Sequence, residues 1–438
     1  MGATDRKPGA NKAGGLRLAL AAACSVLGVA GAPAHATEVS TGALAYVEPG
    51  RVKVFELLAD GTHEFTNGNL GNFRFVFDAL TGASANGAVP SKKAQTFTSP
   101  SGGSGYVILP GETPLDMSFK DTRIAGSGGL TLPWGRLTKA TFGAYTSFER
   151  DYTSLGVNGA LSHDLFQRNT TITLRGSHFA DSVRPMNGVP DPLTPMVAAT
   201  PHGGGDDKSF ASGGSASKGV TDLGVGLTQV VTRRTLLALN YTGTNVSGYQ
   251  TDPYKILSVV DATTGAPMPG TATPELDLYE KRPEHRSKHV AAAELIQNLG
   301  RDILMLSYRW YDDDWGITSK TTEVSYRLNF QPDRYLQPNL RWYHQSAADF
   351  YRRYLVDGQA LPDFASADYR LGEMDAVSLG LKYGTKLESG NDLTLRLEYY
   401  KQSGDHAPAD AIGDLRTMDL FPTVDAWIAN VGLTFGKQ

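Results

Sequence analysis

Asp78-Ala79-Leu80-Thr81-Gly82-Ala83-Ser84 is the stretch of this 438-residue chain whose residue types and spacing come nearest to chemistry. A carboxylate and two hydroxyls flank Gly82 and Ala83, neighbours small enough for the backbone to be held against another surface. A hydroxyl presented in this way, Ser84 foremost, can accept a phosphoryl group and keep it as a phosphoester. The competing reading is structural. Phe73, Phe75 and Phe77 alternate with Arg74 and Val76 just upstream, and Gly82 with its small neighbours would let that strand turn into a loop.

Other constellations are weaker. Asp312, Asp313 and Asp314, between Tyr311 and Trp315, offer oxygen ligands for a hard cation such as calcium, but consecutive side chains point in different directions. An acidic rim beyond Trp310 and Trp315 is the alternative. His285 and His289 have a spacing that binds metal on a helix, whereas here they read as a loop leading into a strand, with Arg286 and Lys288 beside them. His202-Gly203-Gly204-Gly205 resembles an oxyanion segment, yet no Gly-x-Ser-x-Gly elbow accompanies it and no Ser/His/Asp set is legible from spacing. No hydrolase or metal-dependent catalytic centre is therefore expected.

Composition limits what these residues can serve. Arg6, Lys7, Lys12 and Arg17 precede an apolar run from Leu18 to Ala30 and then Ala34-His35-Ala36, which predicts an exported chain cleaved before Thr37. A lipoprotein reading at Cys24 lacks the expected leucine three places before it. Cys24 is the only cysteine, so residues 37–438 must be held by burial and hydrogen bonds alone. Of 41 basic and 45 acidic residues, four basic and one acidic fall before Thr37; the remainder is 37 against 44, a net charge of −7. That argues against a nucleic-acid partner. After Thr37 no apolar stretch reaches the roughly 18 residues of a membrane helix, which leaves open a membrane barrel in which every second residue faces lipid.

The elements needed to position these residues are strands. Leu304, Leu306, Tyr308 and Trp310 share one face, with Met305, Ser307, Arg309 and Tyr311 on the other. The pattern repeats for Val324 to Phe330, Val377 to Tyr383, Leu393 to Tyr399 and Trp427 to Phe435. Aromatics gather near the ends of the apolar faces, including Tyr308, Trp310, Trp342, Tyr383 and Tyr399, as at a membrane interface. Short connections (at 133–136, 166–168, 233–234, 300–301 and 331–334) alternate with long ones (81–116, 181–216, 249–284, 350–370 and 403–422). The predicted fold is all-β: one antiparallel transmembrane barrel over 37–438, with short periplasmic turns and long extracellular loops. It has fourteen strands if the first begins near residue 70. It has sixteen if Ala43 to Val47 and Arg51 to Leu58 form a further hairpin across Glu48-Pro49-Gly50. The inward face would carry Arg74, Arg175, Arg309, Arg327, Arg341, Arg396, Glu294, Glu323 and Glu398, a mixed-sign lumen. Outer-membrane lipid and the barrel-assembly machinery are the partners such a fold requires.

Five segments carry a family resemblance: Asp78 to Ala88, Gln95 to Gly102, Gly248 to Asp261, Tyr308 to Ser319 and Ser346 to Tyr351. The chain resembles the bacterial proteins catalogued as domain of unknown function 3570, over essentially everything after the export signal. The resemblance implies an outer-membrane barrel whose relatives are often encoded near a periplasmic flavin transferase, a thioredoxin-like protein and a small lipoprotein. In that company the opening stretch gains a specific meaning, because Asp78 to Ser84 is similar to the flavin-transferase target Asp-x-x-Ser/Thr-Gly-Ala-Thr/Ser. The implication is FMN attached covalently to Ser84, with Asp78, Thr81, Gly82 and Ala83 as recognition residues and a role in an envelope redox or transport system. The alternative is a passive channel or scaffold barrel without a cofactor.

Overall fold

The computed structural model describes residues 37–97, 106–185, 188–196, 214–271 and 273–436. The segment read as an export signal and the glycine run after His202 lie outside the described residues. Sixteen antiparallel strands close into one barrel. They are β1 (Thr37–Val47), β2 (Lys53–Glu64), β3 (Leu70–Ala85), β4 (Leu115–Trp134), β5 (Thr138–Phe148) and β6 (Tyr152–Leu165). They continue as β7 (Thr170–Val183), β8 (Ala216–Thr232), β9 (Thr235–Gly248), β10 (His285–Asn298) and β11 (Ile303–Asp313). The last are β12 (Thr318–Gln331), β13 (Arg334–Gln345), β14 (Met374–Lys386), β15 (Asp392–Gly404) and β16 (Val424–Phe435). Closure runs between the first and last strands, from Val39 opposite Phe435 to Val47 opposite Trp427.

Sixteen is thus the strand number, and the first hairpin is longer than its alternation suggests. β1 begins at Thr37, not Ala43, and β2 runs on to Glu64, not Leu58. The outward position Gly61 on β2 shows why. Phe73 of β3 lies opposite it in register, and a Cβ on Gly61 would come within 2.5 Å of the Phe73 ring. The neighbouring aromatic supplies the apolar surface that the glycine lacks.

The exterior is apolar. Leu340, Trp342, Val377, Leu379, Leu381, Leu395, Leu397 and Trp427 are all exposed, as the alternation requires of a lipid-facing wall. Leu379, near the middle of β14, is 61% exposed while its neighbour Ser378 on the lumen face is 2% exposed. Leu379→Arg is therefore expected to cost about 2–4 kcal/mol of barrel stability in a bilayer, measured by urea titration of folding into vesicles. An unchanged midpoint would mean that this face does not meet lipid.

A barrel of this width is too wide for wall side chains to fill. The loops at one end fill it instead. Four clusters of buried apolar residues lie at that end, around Leu257, Phe97, Trp315 and Leu415. A small sheet of residues 256–260, 277–279 and 355–356 organises the first. The turns at the other end are short, and both termini of the barrel lie there.

Candidate functional site

The sequence-derived acceptor stretch does not form a loop. β3 continues through Ala85, so the long connection begins at residue 86 and Ser84 is a strand residue opposite Asp116 of β4. Asp78 faces the lumen, where its carboxylate takes Arg123 at 2.5 Å. Gly82 has a φ of +145°, and a Cβ there would stand 2.2 Å from the Arg51 carbonyl oxygen. Ala83 is fully buried, its N–H donating to that same carbonyl at 3.2 Å. Thr81 is exposed, opposite Lys53 of β2. Glycine is thus required by the close approach of the β1–β2 turn, independently of any recognition by an enzyme.

The side chain nearest in kind to a partner for Ser84 was not legible in the sequence. Lys255 reaches from the loop layer, its Nζ donating to Ser84 Oγ at 3.4 Å and to the Ala85 carbonyl. Burial pushes its pKa down. Ser84 lines neither of the two large lumen cavities, and Ala83, Ala85 and Asn86 around it are buried. FMN on Ser84 would require the loop layer beside it to sit differently.

The three acidic candidates diverge. Asp313 belongs to the end of β11, its side chain fully buried, and pairs with Arg286 at 2.5 Å. Its Oδ1 accepts the backbone N–H groups of Trp315 and Ile317, each at 3.0 Å, fixing the turn into β12. Asp314 accepts the Ser287 N–H at 2.9 Å, and Asp312 stands opposite His289. No group of three His, Cys, Asp or Glu side chains arranged for a metal occurs among the described residues. His285 and His289 both lie within β10, not in a loop before it, and His289 Nδ1 lies 2.8 Å from the Tyr241 hydroxyl.

The densest chemistry lies in the loop layer. Arg282 Nε is 2.6 Å from Glu280 Oε1, and its Nη2 is 2.9 Å from Asp368 Oδ2. Arg370 bridges Asp368 at 2.6 Å and Asp252 at 2.8 Å. Ser366 donates to Glu280, as does the Asp252 N–H at 2.6 Å. Gln345 on β13 donates to the carbonyls of Arg370 and Gly372 at 3.0 and 2.8 Å. Segments near 252, 280 and 368 are thereby fastened to one another and to the wall. None of this network was legible, because its members lie far apart in the chain.

Burial opposes charge throughout the network. Burial alone would raise Asp252 and Asp368, but the adjacent Lys255, Arg370 and Arg282 hold both below the usual carboxylate range. At Glu280 burial outweighs Arg282, and the carboxyl is pushed up to about 7; burial takes Asp277 up to about 6. A carboxyl whose folded pKa is raised contributes stability that is full below its ordinary value and lost as pH rises through about 6 to 7. The loop layer should therefore hold better near about pH 5.5 than near about pH 8. Deuterium exchange of loop amides, corrected for the intrinsic rate, should be faster at the higher pH. Slower exchange there would reverse the sign.

Beneath the layer lies a cavity of about 740 Å³, bounded by Arg309, Tyr311, Arg341 and Tyr343 of the wall and by residues 249–254 of the loops. It continues through Glu149, Tyr152 and Lys218 into a second cavity of about 600 Å³ along β4 to β6. Inward residues near the loop end, such as Ser147, Ser319 and Gln402, are buried, while Arg175 and Arg309 farther down face open lumen. The lumen is therefore roofed at the long-loop end and open below.

Among solved structures, the chain resembles a mutant of the ferric enterobactin receptor PfeA from Pseudomonas aeruginosa, at 10% identity and a TM-score of 0.43. That match covers 91% of this chain and only 60% of the receptor. It also resembles a bacterial polysaccharide outer membrane secretin, at 9% identity and a TM-score of 0.44, covering 92% and 98% of the two chains. A third likeness is to OccD3 (OpdP) of Pseudomonas aeruginosa, at 12% identity and a TM-score of 0.40, covering 92% and 91%. No curated protein matches the sequence. The family model described as protein of unknown function (DUF3570) matches residues 16–435, and the chain belongs to that family.

Proposed function

We propose that the protein is an outer-membrane channel for small polar solutes, held closed at its extracellular mouth by the folded loop layer. The observation that carries this reading is the placement of the buried apolar clusters and the buried ion network, which lie in the loops at one end, above a polar, solvent-lined lumen. A scaffold barrel has no need of a roof fastened by Arg282 and Arg370 over an open path. The test is swelling of proteoliposomes in a neutral sugar. Arg370→Met should admit the sugar at least about tenfold faster than wild type, because Asp252 and Asp368 lose a shared cation. Equal, slow swelling in both would sink the channel reading.

A covalent flavin on Ser84 is a second reading, favoured by one observation: Lys255 sets a cation 3.4 Å from the hydroxyl, suited to the anionic phosphodiester that attachment would create. Because Ala83, Ala85 and Asn86 enclose Ser84 in the folded barrel, attachment would belong to the chain before β3 and β4 pair, with the periplasmic flavin transferase as partner, and the loop layer would then pack around the flavin in another arrangement. The thioredoxin-like protein and small lipoprotein would then be its redox company. The check is intact mass after co-expression with a flavin transferase. The reading requires an FMN mass on the Ser84 peptide that is absent in Ser84→Ala, and an unmodified wild-type mass removes it.

A further inference from the structure

We infer that the cavity beneath the loop layer is a binding site for a small dipolar solute, one with a carboxylate at one end and an ammonium at the other. The inference rests on the channel reading and names the class of solute that the path selects. Its basic wall spans three adjacent strands: Arg309 on β11 stands opposite Thr321 on β12, which stands opposite Tyr343 on β13, with Arg341 two residues along. Neither Arg309 nor Arg341 has a carboxylate within 4 Å among the described residues, whereas Arg282, Arg286 and Arg370 are all paired. Glu323 is the register partner of Arg341 on β12 but makes no ion pair with it within 4 Å and does not line the cavity, so the wall presents two guanidiniums that suit a carboxylate.

The opposite wall is acidic apart from Lys218, which is paired with Asp181 at 3.5 Å. The turn between β5 and β6 brings Glu149 and Asp151 to the same cavity. Around the ring, four strands separate that turn from β11 in one direction and seven separate it from β13 in the other. Asp151 accepts the Tyr254 hydroxyl; Glu149 makes no ion pair within 4 Å among the described residues, its nearest cation, Arg123, being paired with Asp78, and burial raises its pKa. A solute of single sign would meet repulsion at one wall; a dipolar one lies along the field between them. The volume of about 740 Å³ suits an amino acid or short peptide, and the open end of the lumen gives it access.

Titration calorimetry of the detergent-solubilised barrel, with glycylglycine, succinate and putrescine as probes, tests the assignment. Glycylglycine should bind, with succinate and putrescine weaker by at least about tenfold. The double variant Arg309→Ala/Arg341→Ala should lose at least about tenfold for glycylglycine, while Glu149→Gln should let succinate bind as well as the dipeptide. Circular dichroism of each variant confirms the fold. Equal affinity of wild type for succinate and glycylglycine, no binding of any probe, or an unchanged double variant would overturn the assignment. Binding is read without passage, so its failure is separate from failure of Arg370→Met to speed swelling.

Discussion

Arg282→Met is expected to loosen the loop layer by about 3–5 kcal/mol without dismantling the barrel. The arginine is the cation common to Glu280 and Asp368, whose side chains are 0% and 1% exposed, so its removal strands Glu280 in a dry setting and leaves Asp368 to Arg370 alone. Methionine keeps the volume and the apolar stem, which separates loss of charge from loss of packing. The buried Glu280 would answer by holding its proton more firmly, recovering part of the loss as pH falls. Limited proteolysis should therefore cut the segments around 252 and 360 readily in the variant and slowly in wild type, with the strands protected in both. Equal protection would mean that the apolar clusters hold the layer alone.

Gly82→Ala should destabilise the barrel by about 2–4 kcal/mol whether or not any transferase is present. The expected loss combines strain at a φ that L-residues rarely adopt with displacement of the Arg51 carbonyl, and so with loss of the Ala83 N–H bond to it. The substitution separates two meanings of the same residues. A sequence kept only for recognition by an enzyme would tolerate it in unmodified protein. A sequence kept for the approach of the β1–β2 turn would not. Thermal unfolding of the variant expressed without a transferase decides, and an unchanged midpoint would return Gly82 to a recognition role.

The wall of the barrel was legible because its constraint is local. Wherever lipid lies on one side and water on the other, each pair of residues declares its face, as Leu379 and Ser378 do. The pattern faded where a residue's environment came from another strand, as at Gly61 beneath Phe73, and the strand number stayed open there. The Asp78 to Ser84 stretch looked like a turn because Gly82 and small neighbours usually mark one; in the barrel they admit the backbone of Arg51 and Val52. The loop layer was not legible at all. Leu257, Leu278 and Leu355 share a cluster although they lie up to 98 residues apart, and Asp252 meets Arg370 across 118. Nothing periodic marks either contact. Arg309 and Arg341 were read as lumen residues, but only the paired state of the cavity's other arginines, Arg282, Arg286 and Arg370, singles them out.

The claim that the folded loops close a solute path is tested most directly by single-channel recording in planar bilayers, wild type beside Arg282→Met. Wild type should show long closed periods with brief openings, and the variant a steady open level. Identical steady conductance in both would show that the loops do not close the path, and silence in both would show that the lumen is not a path.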